Sequence, residues 1–327
     1  MKRLILLMIV ILIPVCSYAM STAPKETYNV VPPEVKLVKV IGYAGSGDSQ
    51  FMRPEGIVVL DPPVNLVKLL VCDTGNNRIQ GFDALGNYLF QFGSFGREDG
   101  RMDSPNGIAV DFNQVINVVD RGNNRIVKFD MSGNYVSKFG EFGMDAGKFN
   151  EPQGMVTDIW GKIFVVDSRN NRVQKFEGNG TSLGSFGGFG YGVGSFDNPW
   201  GIAIDDQRNL YIADAGNNRV QKLSEYGGAI AIFGRRGSGA GEFMNPRGVA
   251  VDDFYIYVAD TGNNRIQVFS RNGDLMGSFG RLGYSRGEFN GPTSLTVDKN
   301  GMLYVVDTNN HRVQVFQVVK RSVEQRQ

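Results

Sequence analysis

Histidine is nearly missing from this chain: His311 is the only one among 327 residues. A three-histidine zinc site therefore cannot be assembled. A Ser-His-Asp triad would have to run through that one imidazole, and no G-x-S-x-G turn exists to present the serine. Cysteine is almost as scarce. Cys16 lies in an N-terminal apolar run, which leaves Cys72 alone in the body of the chain. No disulfide can form within that body, so stability must rest on apolar burial. Cys72 sits in LLVCD and reads as a small buried hydrophobe. A charge surplus is missing too: 34 Lys and Arg face 33 Asp and Glu, which argues against a nucleic-acid binder. There is no G-x-x-x-x-G-K-[ST] phosphate loop and no D-x-[DN]-x-[DN]-G calcium loop.

Long apolar runs are absent outside the N-terminus. There, MKRLILLMIVILIPVCSYA (1–19) combines two basic residues, an apolar run from Leu4 to Val15 and the small residues Ser17 and Ala19. This is the pattern of a secretory signal, and the run is shorter than the ~20 residues that span a bilayer as a helix. The expectation is cleavage after Ala19 and export to the periplasm or beyond. An uncleaved anchor is the alternative. Residues 20–35 should be a flexible segment, and the mature chain should not insert stably in a membrane. Without Lys2 and Arg3, 32 basic residues face 33 acidic ones.

Glycine is abundant, at 43 residues, and it recurs on a beat. The string DTGNNRIQ at 73 returns as DRGNNRIV at 120, DSRNNRVQ at 167, DAGNNRVQ at 214, DTGNNRIQ at 260 and DTNNHRVQ at 307, at steps of 47, 47, 47, 46 and 47. A Pro-x-Gly string, Pro-x-Ser in the last copy, recurs with it at prolines 54, 105, 152, 199, 246 and 292, at steps of 51, 47, 47, 47 and 46. Such a period marks a repeat architecture, and six copies of one string read as a structural corner. The corner pairs are Asp73 and Arg78, Asp120 and Arg125, Asp167 and Arg172, Asp214 and Arg219, Asp260 and Arg265, and Asp307 and Arg312. Each Asp closes one strand and each Arg opens the next. The arginine is expected to fork onto the carboxylate and onto carbonyl oxygens left unpaired by the bend, with Gly and Asn supplying left-handed backbone.

Within one repeat, GIAVD, VINVVD, RIVKFD and YVSKFG are short β-rich runs separated by turn residues. They are named strands a to d in order. Six four-stranded antiparallel sheets make an all-β fold, a six-bladed β-propeller. The last copy lacks a strand d, and KLVKVI at 36–41 supplies one, closing the ring from the N-terminal side. The propeller should span 36–318, with a polar tail at 319–327. Asp-x-x-Asn-x-Arg after an apolar strand, with the preceding Pro-x-Gly strand, resembles NHL repeats. That resemblance implies a scaffold that binds other molecules. One similar group of enzymes uses a histidine-ligated zinc that this chain cannot reproduce.

Function is therefore sought where the copies differ. The residue after each repeat proline should stand at the channel mouth on the face bearing the d–a and b–c loops: Glu55, Asn106, Gln153, Trp200, Arg247 and Thr293. Arg121 and Arg169 vary within the corner, and Arg235 and Arg236 lie on a d–a loop. Trp and Arg are enriched at interface hot spots. The reading is a non-catalytic scaffold that binds a protein, peptide or envelope glycan through this face and needs no cofactor. The alternative is a secreted lyase or lactonase with calcium or zinc held in the channel by scattered side chains. The opposite face, with short turns such as DFNQ and MSGN, is expected to have little area to specialise.

Overall fold

A computed structural model of the chain describes residues 32–319. The expected signal, most of the flexible segment and nearly all of the polar tail lie outside them. The described residues form six four-stranded antiparallel sheets. In blade two the strands are Pro105–Val110, Ile116–Asp120, Arg125–Phe129 and Tyr135–Phe139, paired in that order. Blade six takes Pro292–Val297, Met302–Asp307 and Arg312–Val319 from one end of the chain and Glu34–Ile41 from the other. The closing strand pairs Ile41 with Val313, Leu37 with Phe316 and Glu34 with Val319. It starts two residues ahead of the expected position, because its partner runs for eight residues. Glu34 and Val35 therefore belong to the strand, and so does Val319. Among the described residues, no helix is long and apolar enough to cross a membrane.

The apolar cores lie between blades. Val119 and Ile126 of blade two pack with Val165 and Phe176 of blade three. Each gap is plugged by the residue three places before the repeat proline: Phe51, Met102, Phe149, Phe196, Phe243 and Phe289 are all fully buried. Phe149 sits 5.6 Å from Phe176 between ring centroids. The Pro-x-Gly glycine also serves the ring. A Cβ on Gly107 would lie 2.3 Å from the Gln153 carbonyl oxygen, and one on Gly201 would lie 2.3 Å from that of Arg247. Neighbouring inner strands approach so closely around the bore that no side chain fits.

The corner motif organises the long loops. In blade two the buried Asp120 carboxylate accepts the Asp103 backbone N–H at 2.6 Å and Arg125 Nε at 2.7 Å. Arg125 also donates to the carbonyls of Arg97 (2.6 Å) and Arg101 (2.9 Å), and Asn123 donates to that of Gly96 (2.9 Å). These carbonyls belong to the incoming d–a loop, not to the bend itself, so the fork clamps a segment well upstream. All six Asp–Arg pairs close to 2.7–2.8 Å. The motif glycine is not left-handed; a Cβ on Gly122 would strike the Asp103 carboxyl at 2.5 Å. The second Asn takes the left-handed position, at φ 54 in Asn124. Its side-chain oxygen accepts the backbone N–H of Glu151 in the next loop at 2.8 Å. Asn77, Asn171, Asn218 and Asn264 repeat this link to Ser104, Asn198, Asn245 and Gly291. At the seam, His311 Nδ1 accepts the Arg53 N–H at 3.0 Å. The lone histidine thus makes the ring-closing member of a six-fold set.

Candidate functional site

Strand a is innermost in every blade, so the residue after each repeat proline reaches the bore. Six side chains converge there, and the space is narrow. Glu55, Asn106, Gln153 and Thr293 are buried, at 2–4% exposure. Asn106 donates to Glu55 Oε2 at 3.0 Å and to the Gln153 amide oxygen. Arg121 reaches in from its corner and donates to Glu55 at 2.9 Å. Thr293 shares a 2.6 Å hydrogen bond with Thr308, whose hydroxyl also donates to the Pro54 carbonyl at 2.8 Å. The structure thus brings Glu55, Asn106, Gln153, Arg121 and Thr293 together as cross-blade links. At 2–4% exposure, the four buried ones offer a macromolecular partner almost no surface.

Trp200 and Arg247 remain half-open. They are adjacent, as strand direction required, but they face each other: the guanidinium lies 4.0 Å from the indole centroid. One face of Trp200 is therefore covered and is not a bare plate for a sugar ring. Burial pushes the Arg247 pKa down. Glu55 opposes that shift, while the positive charges of Arg121 and Arg53 reinforce it. Below the mouth, a cavity of about 300 Å³ is lined by inner-strand residues that include Asn106, Trp200, Ile202, Val249 and Thr293. Its lining holds no acid, no base and no imidazole.

The other predicted residues stand apart. Arg235 and Arg236 follow the outermost strand, Ala229–Phe233, so they lie at the outer rim rather than between Trp200 and Arg247. Arg235 is highly exposed and pairs with Glu242 at 3.0 Å. Arg169 pairs with Glu151 at 3.2 Å on the surface.

A feature unrecognised in the sequence shares that rim. The third residue of the d–a loop is a large apolar side chain in four of six copies, and all four are exposed: Phe95 66%, Phe142 68%, Phe189 68% and Leu282 64%. Ala44 and Arg236 hold the other two places, and the exposed Tyr43 (59%) stands one position before Ala44. Met144, Tyr191 and Tyr284 add a second row, each above 70%. The signal was present in GSFG, GEFG and GGFG. The opposite face corrects an expectation as well. Phe112, Ile159 and Trp160 are exposed there, and the Phe112 ring lies against Gly161. Its short turns therefore do carry apolar area. Trp160 is covered on one side by Arg208, 4.0 Å from the indole centroid.

Among the described residues, no three His, Cys, Asp or Glu side chains gather into a metal-holding group. The NHL repeat family model matches residues 102–129, 196–223, 243–269 and 289–316. Over 89 residues the chain is 36% identical to the protein Brain tumor of Drosophila melanogaster, a stretch covering 25% of this chain and 8% of that protein. Most of that relative thus lies outside the match. A Bacteroides thetaiotaomicron protein of unknown function superposes with a TM-score of 0.65 at 16% identity, over 88% of this chain and 76% of that one. A streptogramin B lyase superposes with a TM-score of 0.60 at 13% identity, over 90% of this chain and 99% of that one. At these identities the solved structures share the fold alone. The repeat matches, the six blades and the six corners make this chain an NHL-repeat protein folded as a six-bladed β-propeller.

Proposed function

We propose that the chain is an exported, non-catalytic scaffold whose loop-bearing face docks a protein partner. The observation that carries this reading is the apolar collar. A side chain exposed by more than half at the same loop position in four copies (Phe95, Phe142, Phe189 and Leu282), with Tyr43 one place away in a fifth, is a repeated surface, not scattered exposure. Exposed apolar area of this kind marks interaction sites. The corner clamps hold the loops in place, so the collar is presented with little entropy left to lose on binding. A protein fits better than a glycan, because Trp200 has given one face to Arg247. The channel lining supports a non-catalytic role, since it holds no group able to move a proton.

A photo-reactive residue placed at Phe142 and, separately, at Trp160 tests the face. Adducts with a discrete partner protein are expected from Phe142 and not from Trp160; the reverse pattern would overturn the assignment. For export, N-terminal sequencing of the natural protein should begin at Met20. A retained Met1 would sink that part of the reading.

A further inference from the structure

Two arginines stand over tryptophan rings, and the contrast between them singles one out. Arg208 and Arg247 each stand 4.0 Å from an indole centroid, over Trp160 and Trp200. Each leaves its Nε buried without an acceptor. Arg208, however, donates its terminal nitrogen to Asp158 at 2.8 Å and to Glu225, tying blades three and four together. Its stack is a brace. No side-chain N–H of Arg247 meets an acceptor among the described residues, and no carboxylate pairs with it there.

The surroundings sharpen the contrast. The positive charges of Arg53 and Arg121 bear on Arg247, and the carboxylate that bears on it is that of Glu55. That carboxylate already accepts from Arg121 and Asn106. Arg121 holds that acid, so Arg247 is left without a carboxylate of its own. A partly desolvated cation with no hydrogen-bond partner is costly, and an incoming anion would relieve it. With the guanidinium held 4.0 Å from the indole centroid, its terminal nitrogens are the ones left to donate to the two oxygens of a carboxylate. A nucleic-acid strand fits less well, because its phosphates would also run past Glu141, Asp145 and Glu151 of the loop entering blade three.

We propose that Arg247, backed by Arg53 and Arg121, is a receptor for a carboxylate that an acidic segment of the protein partner inserts at the channel mouth. This rests on the docking role of the loop-bearing face. The carboxylate would come from an acidic side chain or from a chain terminus.

The two tryptophans allow a direct test. In a Trp160→Phe chain, Trp200 is the sole indole and its emission reports on Arg247. The probes are amidated tetraglutamate, tetra-alanine with a free C-terminus, citrate, an oligouridylate, and sodium chloride at matched ionic strength. A saturable change with either peptide is expected, and which one responds distinguishes side chain from terminus. The added substitution Arg247→Gln should weaken that response about tenfold or more, with the melting temperature preserved. Lys36→Gln, which removes an exposed charge on the closing strand, should leave it intact. If Arg247→Gln unfolds the chain, Arg53→Gln should still weaken the response. A response to citrate alone would overturn the peptide source, and one to the oligouridylate alone would point to nucleic acid instead. An equal response to chloride, no response at all, or an unchanged response in Arg247→Gln would overturn the site. If photo-adducts still form from Phe142 in that case, the docking face survives and only the carboxylate receptor falls.

Discussion

Arg125 shows why the corner repeats. Its guanidinium holds a carboxylate that is fully buried and three stretches of chain that would otherwise have no common anchor. Burial pushes the Asp120 pKa up, against hydrogen bonds from Asp103, Asn123 and Arg125, so a half-made pair would be expensive. Arg125→Ala should cost about 3 kcal/mol or more, because it strands a buried acid; chemical denaturation would measure this. His311 supplies a gentler test. His311→Asn restores the oxygen acceptor used at the other five seams and should hold the melting temperature, whereas His311→Ala removes the acceptor and should cost about 1 kcal/mol. Equal loss in both variants would show that the imidazole acts through packing instead. The Asp and Arg of the corner were legible because the string recurs six times. The carbonyls that the fork grips were not, because they lie 24 to 28 residues upstream and only the tertiary fold brings them near. Likewise, Phe142 and Phe149 bridge each other across one loop. Sequence periodicity marks both, but it does not say that one points inward and the other outward.

Strands and loops carry the next level. The closing strand puts Val35, Leu37 and Ile41 onto the cores beside blade six and pairs along Arg312–Val319. Deleting residues 1–33 should leave thermal stability nearly unchanged. Deleting 1–43 should lower it by several kcal/mol, roughly the combined loss of a strand's hydrogen bonds and its apolar burial. Identical melting curves for the two would refute ring closure by this strand. The complementary ends of the chain made this closure readable; the extra pairs at Glu34 and Val35 were not, because strand length is set by the partner. Inner strands are tested by Gly107→Ala. Its Cβ would meet the Gln153 carbonyl oxygen at 2.3 Å, and pushing two inner strands apart should cost about 1–3 kcal/mol. The sequence showed that glycine as a member of a turn-like Pro-x-Gly string, but its purpose is contact between neighbouring blades.

At the scale of the molecule, one face is built from clamped loops with an apolar collar outside and a polar, cross-linked mouth inside. The mouth was located by strand direction, but the burial of Glu55, Asn106, Gln153 and Thr293 there was not legible, because it comes from the convergence of six strands that fills the bore. The opposite face carries its own apolar cluster at Phe112, Ile159 and Trp160, which serves as the control in an experiment on the docking face. The most direct one compares tagged wild-type protein with two variants in affinity capture from the native source. The first variant, Phe95→Ser with Phe142→Ser and Phe189→Ser, strips the collar; the second, Trp160→Ala, alters the opposite face. All three should melt alike apart from the loss of the Arg208 stack in Trp160→Ala, worth about 1 kcal/mol. Docking through the loop-bearing face predicts a partner retained by wild type and by Trp160→Ala and lost from the collar variant. A partner that stays on the collar variant and leaves Trp160→Ala would contradict it.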